Sequence, residues 1–131
     1  MDKKSDFDLR CPNWARQNAA KLVAGDTTMQ LGVPREIKAQ EFRVGMTPAG
    51  ARELVGAGHS VLIESGAGDP IGLTDDLYRA AGASVVETAE QVFAESEMIV
   101  KVKEPQPHEC RQLRPEQLLF TYLHLAADPM Q

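Results

Sequence analysis

Along most of the chain, short apolar runs alternate with segments whose apolar residues recur at helical spacing. The alternation begins at Met29, and each apolar run is bounded by polar or turn-forming residues. The runs that predict strands are 30–33, 60–64, 84–86, 98–102 and 118–123. Because strands separated by helices are joined by right-handed crossovers and pair in parallel, the pattern predicts an α/β fold. We expect a mostly parallel, twisted sheet with flanking helices, Rossmann-like or flavodoxin-like.

The predicted helices begin at residues suited to helix N-termini. Thr47 offers a capping hydroxyl with Pro48 at the first helical position, where a missing N–H costs nothing. Thr74 precedes two aspartates that complement the helix dipole, and Thr88 has a glutamine at capping-box spacing. A short fourth helix is predicted after Pro107. These signals support the alternation independently of hydropathy.

Residues 1–28 lack this regular pattern and are predicted to be an N-terminal extension to a domain formed by residues 29–131. One short amphipathic helix is predicted within the extension, around Trp14 and Leu22. The turn-prone run 25–28 separates the extension from the first strand.

Composition narrows the classes of function. The chain has 131 residues, of which 43% are hydrophobic and 25% charged, as expected for one globular domain. A net charge of -5 argues against a nucleic-acid binder or an anionic-membrane binder. Cys11 and Cys110 stand outside any C-x-x-C pattern, so neither a metal site nor a disulfide framework is indicated. No apolar run has signal-peptide or membrane-spanning length, and the expected location is the cytoplasm.

Three basic side chains are predicted at the carboxyl ends of the strands. Arg43 lies in the loop after the first strand, Lys103 follows the fourth, and His124 follows the fifth. Open α/β sheets bind ligands at this edge. Arginine grips a carboxylate through paired N–H groups, lysine can bind a carbonyl oxygen, and histidine exchanges protons near neutral pH. The set suits a small 2-oxo or 2-amino acid.

Each of these residues also has an ordinary structural interpretation. Arg43 can be a solvated loop charge, and Lys103 can form a weak surface pair with the adjacent Glu104. His124 stands near the chain end, where harmless polar residues collect. His59 and the segment 108–110 are predicted to be structural or neutral.

The glycine runs do not predict a nucleotide site. In the run 66–71, Ile71 replaces the third glycine of G-x-G-x-x-G, and Pro70 interrupts the helix that should begin there. A turn is the better interpretation.

Six motifs closely resemble the amino-terminal region of bacterial alanine dehydrogenases, within the alanine dehydrogenase and pyridine-nucleotide transhydrogenase superfamily. They are 32–38 (Gly-Val-Pro-Arg-Glu-Ile-Lys), 41–44 (Glu-Phe-Arg-Val), 47–50 (Thr-Pro-Ala-Gly), 66–68 (Gly-Ala-Gly), 101–105 (Lys-Val-Lys-Glu-Pro) and 121–126 (Thr-Tyr-Leu-His-Leu-Ala). The resemblance spans about three-quarters of the chain, from Met29 to Pro129.

The resemblance implies roles for the three basic residues. Arg43 and Lys103 would bind the substrate's carboxylate and carbonyl, and His124 would act with Lys103 in catalysis as an acid/base or carbonyl-polarising residue. The implied reaction is the NAD-dependent interconversion of L-alanine with pyruvate and ammonia. In the family an NAD-binding domain follows and the chain then completes the first domain. We therefore expect residues 29–131 to be an incomplete, C-terminally truncated substrate domain that is inactive alone.

Two alternatives stay open. The chain can be a stand-alone, non-catalytic module that binds 2-oxo acids or associates with full-length subunits, which form oligomers in this family; homo-oligomers are also possible. It can instead be the corresponding domain of a transhydrogenase alpha subunit, although those subunits generally lack the lysine and histidine found here at Lys103 and His124.

Overall fold

A computed structural model describes Gly25 and residues 27–123 of the chain. The strands are β1 (Gln30–Val33), β2 (Ser60–Glu64), β3 (Ser84–Val86), β4 (Met98–Lys103) and β5 (Leu118–Tyr122). The helices are α1 (Pro48–Gly56), α2 (Asp75–Ala80), α3 (Ala89–Glu95) and α4 (Pro107–Cys110), with a 3-10 turn at Asp69–Ile71. The five strands form one parallel sheet in the order β3-β2-β1-β4-β5. The predicted fold class is confirmed.

The predicted strand boundaries agree closely with the structure. The first three strands have the predicted limits, whereas β4 continues one residue further, to Lys103, and β5 ends one residue earlier, at Tyr122. Pro105 follows soon after β4, as expected for a residue that cannot donate to a strand ladder. The predicted N-terminal helix around Trp14 lies outside the described residues.

Two apolar clusters cover the two faces of the sheet, as the crossover helices require. The larger cluster includes Leu31, Ile63 and Tyr78 and packs with α1 and α2. The smaller one joins Phe93 of α3 to Ile99 of β4. Alternate strand residues point to opposite faces, so β3 and β4 each contribute to both clusters.

The helix caps follow the sequence in part. Thr47 Oγ1 accepts a 3.2 Å hydrogen bond from the Gly50 N–H, as predicted. Thr88 Oγ1 accepts from the Gln91 N–H at 3.3 Å, but the Gln91 side chain accepts from Glu87, not from the cap, so this capping box is only half formed. A complete capping box, which the sequence analysis did not identify, forms at α4 between its N-cap glutamine and third helical residue.

The order of the strands places a crevice between β1 and β4. The chain winds from β1 outward to β3, then returns to add β4 on the other side of β1. β1 and β4 pair only at Leu31 with Met98 and Gly32 with Ile99. These two strands have no further backbone pair toward their carboxyl ends, the edge at which open α/β sheets bind ligands. Within the described part of the chain, no helix is long and apolar enough to cross a membrane.

Candidate functional site

The loop between β1 and α1 carries Arg43 and is held by a glutamate at its start. Oε1 of Glu36 accepts a 2.7 Å hydrogen bond from the Val102 N–H of β4. Oε2 of the same carboxylate lies 3.2 Å from Nζ of Lys101. A side chain from the loop thus links β1 to β4 beyond the last backbone pair between these strands.

Lys101 joins this loop to α4 as well. Its Nζ also donates to Oε1 of Glu109 at 2.8 Å, and all three side chains are at most 2% exposed. Oε2 of Glu109 accepts from the N–H of Gln106, the N-cap of α4. A buried charge without a partner is strongly unfavourable, so the two carboxylates and the lysine depend on each other.

The end of the loop is held by close packing on β4. A Cβ added to Gly45 would lie 2.6 Å from the Val100 carbonyl oxygen, so only glycine allows this approach. The buried Tyr78 hydroxyl donates a 2.7 Å hydrogen bond to the Met46 carbonyl. Burial raises the pKa of Tyr78 to about 12, which keeps the hydroxyl protonated as a donor. The Arg43 loop is therefore fixed at both ends.

Arg43 is bound by a glutamate two residues earlier in the chain. Its Nε and Nη2 donate to Oε1 and Oε2 of Glu41 at 2.8 and 2.7 Å, a bidentate pair. The side-chain hydrogen bond from Arg43 is the largest influence on Glu41, and it helps to lower the pKa of that carboxyl to about 2. Glu41 in turn raises the pKa of Arg43. Both groups are charged at neutral pH.

Lys103 lies at the end of β4, close enough for its charge to lower the pKa of Glu41 as well. No described residue forms a hydrogen bond or ion pair with its Nζ. The ordinary alternative for Lys103, a surface pair with Glu104, is not formed: Glu104 is buried and pairs with Lys38. Neighbouring residues on an extended chain point in opposite directions, so adjacency in sequence did not bring these charges together.

The end of β4 is tied to the end of β5. The hydroxyl of Thr121 donates to the Lys103 carbonyl at 2.8 Å, next to the pairing of Lys103 with Tyr122. This fixes the backbone from which the lysine projects. The third predicted site residue, His124, lies outside the described residues.

The glycine run after β2 forms a turn, as predicted. The Asp75 carboxylate accepts from the Gly66 N–H at 2.9 Å and from the Ser65 hydroxyl at 2.7 Å. Burial alone would raise the pKa of Asp75, but these hydrogen bonds lower it overall. A carboxylate already occupies the amide that a pyrophosphate would need, and the helical turn that follows is only Asp69–Ile71. This turn therefore does not fit the pyrophosphate of a dinucleotide.

An open cleft of about 490 Å³ lies beside the loop and is lined by Arg35, Glu41, Asp69 and their neighbours. Arg43 and Lys103 are not among its lining residues. No group of three or more histidine, cysteine, aspartate or glutamate residues in the described chain could hold a metal ion. Cys110 is a free, exposed thiol.

Comparison with known proteins places the chain in a family. The family model described as "Alanine dehydrogenase/PNT, N-terminal domain" matches residues 32–131. An alanine dehydrogenase of Mycolicibacterium smegmatis is 52% identical over 99 residues, covering 76% of this chain and 27% of that protein. One of Bacillus subtilis is 48% identical over 101 residues, covering 77% of this chain and 26% of the relative.

Solved structures agree with the sequence comparisons. A structure titled L-alanine dehydrogenase has a TM-score of 0.73 and 55% identity, covering 76% of this chain and 27% of that one. A transhydrogenase from Sinorhizobium meliloti has a TM-score of 0.71 and 25% identity, covering 76% of this chain and 28% of that one. The chain thus spans about a quarter of the length of the relatives that it matches. It belongs to the alanine dehydrogenase/PNT family, whose N-terminal domain it matches.

Proposed function

We propose that this chain supplies the substrate-binding side of an NAD-dependent L-alanine dehydrogenase, which interconverts L-alanine with pyruvate and ammonia. The observation that carries the proposal is the placement of Arg43 and Lys103 around Glu41 at the carboxyl edge of the sheet. This edge is where open α/β folds bind small ligands. The 52% identity to an alanine dehydrogenase supports the choice of substrate.

In this proposal each of the three basic residues has a separate role. Arg43 binds the substrate carboxylate with the guanidinium N–H groups that Glu41 leaves available. Lys103 donates to the carbonyl oxygen of pyruvate and stabilises the negative charge that develops there. His124 exchanges the proton of the substrate oxygen or nitrogen.

A nicotinamide cofactor, when bound, would supply the hydride acceptor for L-alanine. Because the glycine turn after β2 does not fit a pyrophosphate, we assign cofactor binding to regions of the relatives beyond the matched segment. The chain alone should then give no alanine-dependent reduction of NAD. We place it in the cytoplasm, alone as a homo-oligomer or together with full-length subunits, with alanine and pyruvate as its ligands.

A second candidate is the corresponding domain of a transhydrogenase, favoured by the TM-score of 0.71 to such a protein. A transhydrogenase domain has no amino acid to bind, so pyruvate binding separates the two candidates. The third candidate, a non-catalytic 2-oxo acid module, would bind pyruvate but support no turnover when the remaining family regions are supplied.

The proposal is tested by pyruvate binding to the purified chain, followed through saturation transfer to the ligand methyl group by NMR. We expect weak, saturable binding, because ligand and side chains stay partly solvated in an open site. Arg43→Ala and Lys103→Ala should each abolish it. Arg52→Ala, which removes an exposed arginine on α1, is the matched control and should bind as the wild type does. No saturable binding by a folded wild-type chain would refute the proposal.

A further inference from the structure

Glu41 accepts three hydrogen bonds from Arg43, one from its backbone N–H and two from its guanidinium. The backbone N–H of Arg43 donates to Oε1 at 2.9 Å, Nε donates to the same oxygen at 2.8 Å, and Nη2 donates to Oε2 at 2.7 Å. The carboxylate therefore takes the lateral edge of the guanidinium. The terminal edge, formed by Nη1 and the second N–H of Nη2, has no partner among the described residues.

The two side chains differ sharply in exposure. The side chain of Glu41 is 6% exposed, whereas that of Arg43 is 64% exposed. An exposed arginine normally samples many rotamers, and holding it in one orientation costs conformational entropy on binding. The bidentate hydrogen bonds to Glu41 remove much of that freedom before a ligand arrives.

The hydrogen bonds of Glu41 direct a ligand to the terminal edge of Arg43. If a substrate carboxylate took the lateral edge, the Glu41 carboxylate would lose its bidentate partner and stand beside a second anion, which disfavours both charges. The backbone N–H of Arg43 also donates to the Glu41 carboxylate, and this hydrogen bond holds the carboxylate in place even when the guanidinium moves. The terminal edge is the one that a ligand can reach at no such cost.

From this geometry we infer that Glu41 is a positioning residue, which fixes the Arg43 guanidinium so that its terminal edge receives the carboxylate of a 2-oxo monocarboxylic acid. The inference rests on the proposed function. It assigns to Glu41 no contact with the substrate.

The choice of a monocarboxylate follows from the local charges. Glu41 balances the charge of Arg43, and Lys103 lies near enough to lower the pKa of Glu41. Arg35 lines the cleft beside Glu41. The Glu41 anion repels a ligand with two negative charges more strongly than a ligand with one.

The test uses the full chain, labelled with 15N, and compares wild type with Glu41→Gln. Glutamine keeps the size of the side chain but loses its charge and one acceptor oxygen. Asp76→Asn is the matched control. Like Glu41→Gln it neutralises a carboxylate that pairs with an exposed arginine, here at 2.9 Å, but the pair lies at a distant position in the chain. The readouts are solvent exchange of the Arg43 Nε–H and the affinities for pyruvate and for oxaloacetate, a 2-oxo dicarboxylate.

We expect Glu41→Gln to accelerate Nε–H exchange of Arg43 severalfold and to weaken pyruvate binding about fivefold, as the loss of about 1 kcal/mol predicts. Its preference for pyruvate over oxaloacetate should fall, because the repelling anion is gone. Glu41→Asp, which retains a carboxylate, should recover part of the preference. Asp76→Asn should change none of these values. A solely structural role for Glu41 would not alter the preference between ligands of different charge.

The outcomes separate this inference from the proposed function. If wild type binds pyruvate and Glu41→Gln binds it equally or more tightly, the inference is overturned while the proposed function stands. If wild type does not bind pyruvate, the proposed function fails and takes the ligand assignment with it. Unchanged Arg43 Nε–H exchange in Glu41→Gln overturns the positioning role in either case.

Discussion

The Val102 N–H of β4 donates its 2.7 Å hydrogen bond to the side chain of Glu36, beyond the last backbone pair between β1 and β4. The glutamate thereby satisfies a strand amide that has no partner on β1. The other oxygen of the same carboxylate holds Lys101. A single side chain thus bonds to two residues of β4 and fixes the start of the loop that carries Arg43.

Removing Lys101 should destabilise the fold more than any surface change. Lys101→Met leaves the carboxylates of Glu36 and Glu109 buried beside each other without their shared cation. Breaking a buried ion network in this way costs about 3–5 kcal/mol. Urea unfolding followed by circular dichroism measures the loss, with Arg52→Ala as a surface control expected to stay within about 0.5 kcal/mol. A loss below about 1 kcal/mol would mean that the network contributes little.

Two glycine substitutions should differ in sign. Gly45→Ala places a Cβ 2.6 Å from the Val100 carbonyl oxygen, so the backbone must move. We expect a loss of about 1–3 kcal/mol in unfolding free energy, together with weaker pyruvate binding because the loop shifts. Gly56→Ala, at the end of α1, meets nothing within 4 Å and should be neutral or stabilising by up to about 1 kcal/mol. Equal effects of the two changes would contradict the close packing of the loop on β4.

Tyr78→Phe should lower the free energy of unfolding by about 1 kcal/mol, since it leaves the Met46 carbonyl without its donor.

The buried Tyr78 also predicts a loss of stability at high pH. Its pKa is raised from 10.0 to about 12 by burial, so the folded state retains a proton that the unfolded chain releases. The stabilisation is complete below pH 10 and disappears as pH rises through about 12. Thermal unfolding of wild type and Tyr78→Phe between pH 9 and 11, in steps of about half a unit, should show the steeper decline in wild type.

Glu41 predicts that the stability of the fold decreases as the pH falls. Its pKa is lowered from 4.5 to about 2, chiefly by the side-chain hydrogen bond from Arg43, so the unfolded chain binds a proton more readily than the folded one. The stabilisation is present above pH 4.5 and is lost as pH falls toward about 2. On acidification through this range, the midpoint temperature of thermal unfolding should therefore fall less in Glu41→Gln than in wild type. Parallel curves for the two proteins would show that the pair adds nothing to stability.

Much of the fold could be predicted because it rests on local patterns. The apolar runs gave the strands, and hydroxyl groups such as Thr47 and Thr88 marked helix starts. The placement of Arg43 and Lys103 at one edge followed from the predicted parallel pairing of the strands. These features need only short-range information.

The parts that were missed depend on contacts between distant residues. Lys101 stands within an apolar strand, which alone indicates that a buried charge needs a partner, but nothing local identifies Glu36, 65 residues away. Glu41 was hidden for a different reason: in a polar loop, the spacing of two residues to Arg43 does not predict a bidentate pair. The alternative pairing of Lys103 with Glu104 rested on chain adjacency, whereas neighbouring residues of a strand point in opposite directions.

We propose that Arg43, Lys103 and His124 form one site for a small carboxylate. The most direct measurement is a pyruvate titration of the full chain, observed at the ring resonances of His124 by NMR. We predict a saturable shift in wild type, its loss in Arg43→Ala and in Lys103→Ala, and its persistence in Arg52→Ala, with all four proteins folded. Ring resonances of His124 that stay unmoved by pyruvate at tens of millimolar in folded wild type would contradict the claim.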